Sequence, residues 1–359
     1  MFADINKKIT LLMIMMVVLT ISCVRGGGNM DNDTLKLLKK SEKQFNETYA
    51  GKEIDLSHSD LSGMKINEAN LTGANLKGAN LTKTLFKKSI LEKADLSGSI
   101  MDQTVFDTSQ MNEIKIIRST MTGVQFENCS IEKADLQASQ FRNVQFKNTD
   151  LTGSNLTKIT MADTVFFKSE VQHCKIMNSK ITNVVINETN FMGSDLTDSI
   201  MQGEIVEDSS FGDAILVRTN FSGSTFKGRL WSEPDFLAAK AKGANFSHCR
   251  MYGVSMMDID LEGADFSKSV IELLDVQSAN LKNAKFYDVS LKGVNFGHAD
   301  LTHADFTKST FVNWVRLKDT KLEGTIFDNV TLFNNPRIDL TDTIYAGKSL
   351  PIKTYYEKP

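Results

Sequence analysis

Five histidines and four cysteines are the residues here best suited to metal binding, general-base catalysis or thiol chemistry. The histidines are His58, His173, His248, His298 and His303, and three of the cysteines are Cys129, Cys174 and Cys249. Metal binding or base catalysis would need such side chains to converge. Within each set, however, every separation is a multiple of five, and the cysteines are 45 and 75 residues apart, with no CxxC or metal-ligand spacing. The glycosylation-like triplets at Asn70, Asn80, Asn155 and Asn220 obey the same interval. Between Lys180 and Arg218 there is no base, but Glu188, Asp195, Asp198, Glu204, Glu207, Asp208 and Asp213 occur. No calcium-loop spacing accompanies these acids. The chain has no Gly-rich phosphate loop, no nucleophile elbow and no HExxH, and most of its glycines recur at the same interval.

The interval belongs to the elements that must carry these residues. From Leu56 to Phe311 every fifth residue is apolar, fifty-two positions in all, and only Ala241 is not large. Successive apolar residues on a helix would diverge by about 140°, and on a straight strand they would alternate faces. A period of five therefore requires a chain that turns between repeats, each repeat forming one short side of a closed coil. Two residues before each apolar anchor the sequence prefers small residues, as at Ala69, Ala74, Ala79, Ser89 and Ala94. Strand alternation points both positions inward. Cys129, Cys174 and Cys249 occupy the small inward position, where a thiol behaves as a small hydrophobe. All five histidines fall two residues after an anchor, at an outward corner. One repeat cannot fold alone, because ordering five residues costs about 5–10 kcal/mol and one buried Leu or Phe returns about 1.5–3 kcal/mol. Stacking of coils must supply the rest.

The segments ANLTGANLKGANL (Ala69 to Leu81), ADLSGS (Ala94 to Ser99), ADFSKS (Ala264 to Ser269) and HADLTHADF (His298 to Phe306) resemble the pentapeptide repeat family, whose unit is A(D/N)LxX. The resemblance implies an all-β fold, a right-handed quadrilateral β-helix of about 13–14 coils with four repeats per coil. The repeat is expected over residues 51–333, preceded by a capping helix over 33–50.

The N-terminus is a separate object. Lys7 and Lys8 precede the apolar run Ile9 to Leu19, which is short for a membrane span and has a signal-peptide layout over residues 1–22. Leu19-Thr20-Ile21-Ser22-Cys23 resembles a relaxed bacterial lipobox, so Cys23 is the expected lipidation site and 23–32 a tether. Val24, rather than Asp, follows the cysteine, which by resemblance to the enterobacterial sorting pattern favours the outer membrane. The formal charge of −3 becomes −4 on removal of Asp4, Lys7 and Lys8. Residues 51–180 hold 15 acids and 16 bases, and residues 181–333 hold 21 acids and 14 bases. The acids near Glu188 to Asp213 are expected to ring nearly two coils rather than line one face. Residues 20 apart stack, so Glu188 should meet Asp208 and Asp213 should meet Glu233.

Two irregularities interrupt the pattern. Lys227 to Gly243 places Arg229 and Pro234 at inward positions and Trp231 at an anchor. Ser232-Glu233-Pro234, followed by DFLAAKAK from Asp235, has the form of a helix start. A bulge or short helix leaving the coil is expected there, and Arg229, Trp231, Glu233, Pro234 and Asp235 form a candidate protein-contact loop. After Phe311 the anchors move by one residue, to Leu317, Leu322, Phe327 and Leu332, which implies a one-residue bulge near 312–317 with Trp314 inside or near the wall. The tail, 334–359, is expected to cap the last coil or build a homodimer, a property the family resemblance implies.

These observations favour a non-enzymatic, lipid-anchored envelope protein that offers a rigid scaffold to a protein partner, with no cofactor, metal or nucleic acid. The alternative follows from the resemblance. Some family members mimic DNA and bind DNA gyrase, but the weak charge here and an exported location argue against that role.

Overall fold

The computed structural model describes residues 32–228 and 235–339. The chain winds into a four-sided β-solenoid of about 13 turns, preceded by two short helices. Taken in chain order, side 1 carries the anchors Leu56, Leu76 and Leu96, side 2 carries Leu61, Leu81 and Met101, side 3 carries Ile66, Phe86 and Phe106, and side 4 carries Leu71, Leu91 and Met111. Side 3 is a continuous parallel sheet of 14 strands, and six coils of side 2 form a second sheet. Sides 1 and 4 are held by single bridges, such as Asp55 to Asn75 and Asn70 to Ile90. At about 4.8 Å per step the rod is about 60 Å long.

Each position of the repeat has a physical reason. The anchors fill the axis. Phe86, Phe106, Phe126, Phe146 and Phe166 stack at 5.1, 5.1, 5.0 and 4.8 Å on side 3. Phe246, Phe266, Phe286 and Phe306 stack at 5.1, 5.0 and 4.6 Å on side 2. Each ring adds about 0.5–1.5 kcal/mol of aromatic pairing to its burial. The Asp or Asn before the anchor accepts the N–H of the residue after it, as Asp55 Oδ1 does from Ser57 at 3.0 Å. That bond makes the corner an Asx-turn. The bonds from Ser57 hold the Asp55 carboxyl below its usual range, although partial burial opposes them. The corner residue is left-handed, for example Lys83 at φ 57° and Asn178 at φ 55°. This conformation costs an ordinary residue about 1–2 kcal/mol, which the coil-to-coil hydrogen bonds must outweigh.

The small inward position does more than save space. Its hydroxyls donate to the anchor carbonyl 23 residues earlier, as Thr84 does to Leu61 at 2.8 Å and Ser154 does to Ile131 at 2.9 Å. They also accept the N–H 20 residues earlier, as Ser154 does from Ala134 at 3.0 Å. The buried cysteines follow the first rule rather than acting as simple hydrophobes: Cys174 Sγ lies 3.0 Å from Leu151 O, and Cys249 Sγ 3.1 Å from Phe221 O, 28 residues earlier because five residues are inserted between them.

The expected capping helix is two helices, α1 (Asn32–Lys40) and α2 (Glu42–Tyr49), divided at Ser41, whose Oγ accepts the Gln44 N–H at 3.3 Å. Phe45 buries against the first coil. Asn46 Oδ1 accepts the Asn70 N–H at 2.8 Å and its Nδ2 donates to Glu68 O at 2.8 Å, while Glu42 Oε1 accepts the Asn67 N–H at 3.3 Å. One turn of α2 thus substitutes side-chain groups for the missing neighbouring coil at this edge.

The coil containing the first irregularity is longer than its neighbours. Phe226 pairs with Met251, Ile215 with Lys240 and Asn220 with Asn245, all 25 residues apart instead of 20. Its wall is complete with Phe226, Phe236, Ala241 and Phe246, all buried. Phe236, not Trp231, provides the anchor over Phe211, with the rings stacked at 5.1 Å. Residues 235–238 form an ordinary turn of the coil, so the helix expected after Pro234 does not continue there. One whole repeat has been added at the corner between sides 3 and 4. For the same reason the Asp213 N–H meets this coil at Leu237 O, 24 residues on; Glu233 lies outside the described residues.

The second irregularity is a one-residue bulge. Leu291 pairs with Phe311, but Val294 pairs with Val315, and Asn313 takes φ 65°. Trp314 is half-buried on the outside of the wall, 3.3 Å from where a Cβ on Gly293 would sit. The last described strand, Thr331–Asp339, pairs with Thr310–Arg316. The tail beyond Asp339 lies outside the described residues, as do residues 1–31 with Cys23.

Candidate functional site

The added repeat is the strongest departure from the regular rod. The chain leaves side 3 after Thr225–Lys227 and rejoins side 4 at Asp235. Of the five expected contact residues, Arg229, Trp231, Glu233 and Pro234 lie outside the described residues. Asp235 is described, and it is buried. Its Oδ2 accepts the Ser255 N–H at 2.9 Å, so it fastens the rejoining corner to the next coil instead of facing a partner. Gly228 closes the other side of the corner, where a Cβ would collide with the Asp235 carboxylate and the Gly253 carbonyl.

Exposed apolar side chains lie on the two sides that meet at this corner. Ile205, Tyr252 and Val270 are 45%, 43% and 47% exposed on side 3, and Met192 and Leu237 are 40% and 39% exposed on side 4. Thr225, Lys227, Arg250, Tyr252, Val270 and Glu272 line a shallow depression of about 510 Å³ on side 3. Such clustering at one place on a surface marks a contact site more than scattered single residues do.

The run of acids is not an acidic face. Glu188 pairs with Lys168 at 3.6 Å, Asp198 with Arg218 at 2.6 Å, and Glu207 with Lys227 at 3.9 Å, each partner one coil away. The Arg218 guanidinium holds the Asp198 carboxyl below its usual range. Glu204 is not on the surface at all. It occupies the small inward position, 1% exposed, a placement that its position two residues before the anchor Val206 could have revealed.

The histidines do not converge. The imidazoles of His58, His173 and His303 each lie over the glycine of the next coil, Gly78, Gly193 and Gly324. His298 Nδ1 is 3.5 Å from Asp319 Oδ2. Burial pushes the thiol of Cys129 up to about 11 and those of Cys174 and Cys249 up to about 12, which suppresses thiolate chemistry. Among the described residues no group of histidines, cysteines and acids could hold a metal ion, and no helix is long and apolar enough to cross a membrane.

Comparison with known proteins fits this geometry. A family model described as a pentapeptide repeat region matches residues 79–156. A model of eight pentapeptide repeats matches residues 54–92, 145–183, 189–228, 235–269 and 279–313. The second model skips residues 229–234, where the added repeat lies. No curated protein matches the sequence. Similar solved structures include HetL, a pentapeptide repeat protein involved in heterocyst differentiation regulation from the cyanobacterium Nostoc sp. strain PCC 7120. It is 19% identical, with 69% of this chain and 95% of that chain covered and a TM-score of 0.29. A trypsin-treated form of QnrB1, a plasmid-mediated fluoroquinolone resistance protein, is 14% identical, with 65% and 89% covered and a TM-score of 0.27. Rfr23, from the cyanobacterium Cyanothece 51142, is 14% identical, with 47% and 91% covered and a TM-score of 0.16.

Proposed function

The chain belongs to the pentapeptide repeat family, and from that premise we propose that it is a non-enzymatic scaffold, tethered to a bacterial envelope through lipid on Cys23, that presents the corner at the added repeat to a protein partner. The observation that carries this reading is the apolar cluster of Ile205, Tyr252, Val270, Met192 and Leu237 on the two sides meeting at that corner. A rigid rod is suited to the task. Every coil is bonded to its neighbours, and the corner stands about 40 Å from the N-terminal end, at about 4.8 Å per coil. The helices cover that end, and Cys23 lies nine residues before Asn32, so a lipid there would tether the rod end-on. The outer membrane is the proposed site, from Val24. The C-terminal tail is the proposed site of homodimerisation.

Two experiments test the two halves of this reading. Labelled palmitate should be incorporated by the full chain and not by Cys23→Ala; no incorporation refutes the anchor. A photocrosslinking residue at Tyr252 or Leu237 should yield one discrete adduct in envelopes of producing cells, while one at Gln145, on side 3 but remote from the corner, should not. Equal crosslinking at all three refutes the contact surface.

DNA mimicry, the second role the family offers, is disfavoured by the axial pairing of Glu188, Asp198 and Glu207 with bases. A DNA-like surface needs rows of unpaired negative charge. Purified residues 24–359 should leave gyrase supercoiling unchanged.

A further inference from the structure

The inward column on side 3 contains one residue of the wrong kind. Coil by coil it runs Thr164, Val184, Glu204, Ser224, Cys249 and Ser269, all small except Glu204. The carboxyl behaves as half of a hydroxyl. Glu204 Oε2 accepts the Val184 N–H, as a Ser or Thr oxygen would. Its other oxygen, Oε1, is fully enclosed and has no hydrogen-bond partner. The hydroxyls of the column also donate to a carbonyl 23 residues earlier, as Ser224 does to Met201 at 3.1 Å. By that register the carbonyl opposite Glu204 is that of Ile181. A carboxylate cannot donate, but a carboxylic acid can, so the neutral acid completes the pattern and the ion leaves a buried charge unmatched.

We propose that Glu204 is carried as the neutral acid inside the rod, and that its ionisation makes this coil, which supports the added repeat, the pH-sensitive joint of the solenoid. The link to the corner is direct. Glu204 N–H donates to Ser224 Oγ at 3.0 Å, and Glu204 O accepts the Thr225 N–H at 2.8 Å. Thr225 begins the strand from which the chain leaves the coil. Its neighbours by register are uncharged and buried: Val184 and Ser224 in the column, and Ile186, Val206 and Phe226 on the adjoining anchors. The ion pair on the same strand, Glu207 with Lys227, is open to solvent. Burial pushes the carboxyl up to about 7, and only the Val184 N–H opposes it.

The sign follows from linkage. An opened coil returns Glu204 to its ordinary value of 4.5, while the closed coil holds it near 7. Between those limits the open state releases a proton that the closed state keeps, so opening becomes more favourable as pH rises, about tenfold per unit. Below 4.5 and above 7 the dependence is flat. The proposal concerns the coil itself and stands whether or not Cys23 is lipidated.

Amide hydrogen exchange of the full chain from pH 5 to pH 8, corrected for intrinsic rates, tests it, with Glu204→Gln and Glu204→Ser as variants. In the wild type, the opening constant over residues 184–227 should rise about 30-fold from pH 5 to pH 7 and then level off. Residues 86–146 should show no such rise. Both variants should be flat, and Glu204→Ser, which restores the hydroxyl, should be the better protected at pH 7. If Glu204→Gln does not fold, Glu204→Ser decides alone. A wild type without the rise, or a variant with the same rise, overturns the proposal.

Discussion

Deletion of residues 229–233 gives the sharpest test of the 25-residue coil. It joins Gly228 to Pro234 and leaves Phe226-Lys227-Gly228-Pro234-Asp235-Phe236, one ordinary repeat between two anchors already in the wall. The axial contacts of the long coil among the described residues are made by residues that remain, including the Phe211–Phe236 stack at 5.1 Å and the Phe221–Phe246 stack at 5.2 Å. Shortening the excursion lowers the entropy of closing it by about 1 kcal/mol in favour of the fold. Pro234 would lack the N–H that this position offers, a loss of about 1 kcal/mol. The deletion should therefore change stability by less than about 2 kcal/mol. A coil with Trp231 in the wall would instead lose a large anchor, at a cost of about 3–5 kcal/mol, and every later coil would be displaced. Urea unfolding distinguishes the two outcomes, provided the slope, which reports the surface exposed, is unchanged. Phe236→Ala supplies the converse and should lose about 3–5 kcal/mol. A deletion that costs more than 3 kcal/mol, or a Phe236→Ala that costs less than the deletion, refutes the arrangement.

Further outcomes follow from the corners, the inward column and the cap. Gly78→Ala should be destabilising, because Gly78 sits at φ 61° and a Cβ there would press on His58 Nδ1 at 2.6 Å; measured by thermal melting, adding His58→Ala should recover part of the loss, and strictly additive effects would exclude the contact. Cys174→Ser should be nearly neutral and Cys174→Ala should cost about 1 kcal/mol in urea, since only serine keeps the bond to Leu151 O. Cys129, Cys174 and Cys249 should resist a thiol reagent at pH 8 until the protein unfolds, because burial holds them at about 11 to 12; fast labelling of any of them in the native state contradicts their placement. Asn46→Ala removes two bonds across the first coil edge and should cost about 1–3 kcal/mol, with faster amide exchange at Asn70 as the local signature.

The sequence alone determined the solenoid, because an inward anchor every five residues is a purely local requirement and many corners are closed by their own Asx-turn, as at Asp55 and Asp60. The small inward column and the outward histidines follow from the same local geometry, as does the one-residue bulge, which shifts the phase of the ladder after Phe311. An insertion of five residues shifts nothing. The ladder therefore runs unbroken through Trp231, and only the pairing of Phe226 with Met251 reveals that a repeat was added. The neutralisation of the acids was likewise decided by coil stacking, since Lys168 and Glu188 are neighbours only across a coil. Glu204 lies between these cases. Its inward position was legible, but the cost of burying its carboxyl arises from Val184 above and Ser224 below, which only the stacked coils bring together. The division is physical: corner and anchor preferences act within a few residues, whereas axial pairing, desolvation and the anchor used at an insertion depend on which coils become neighbours.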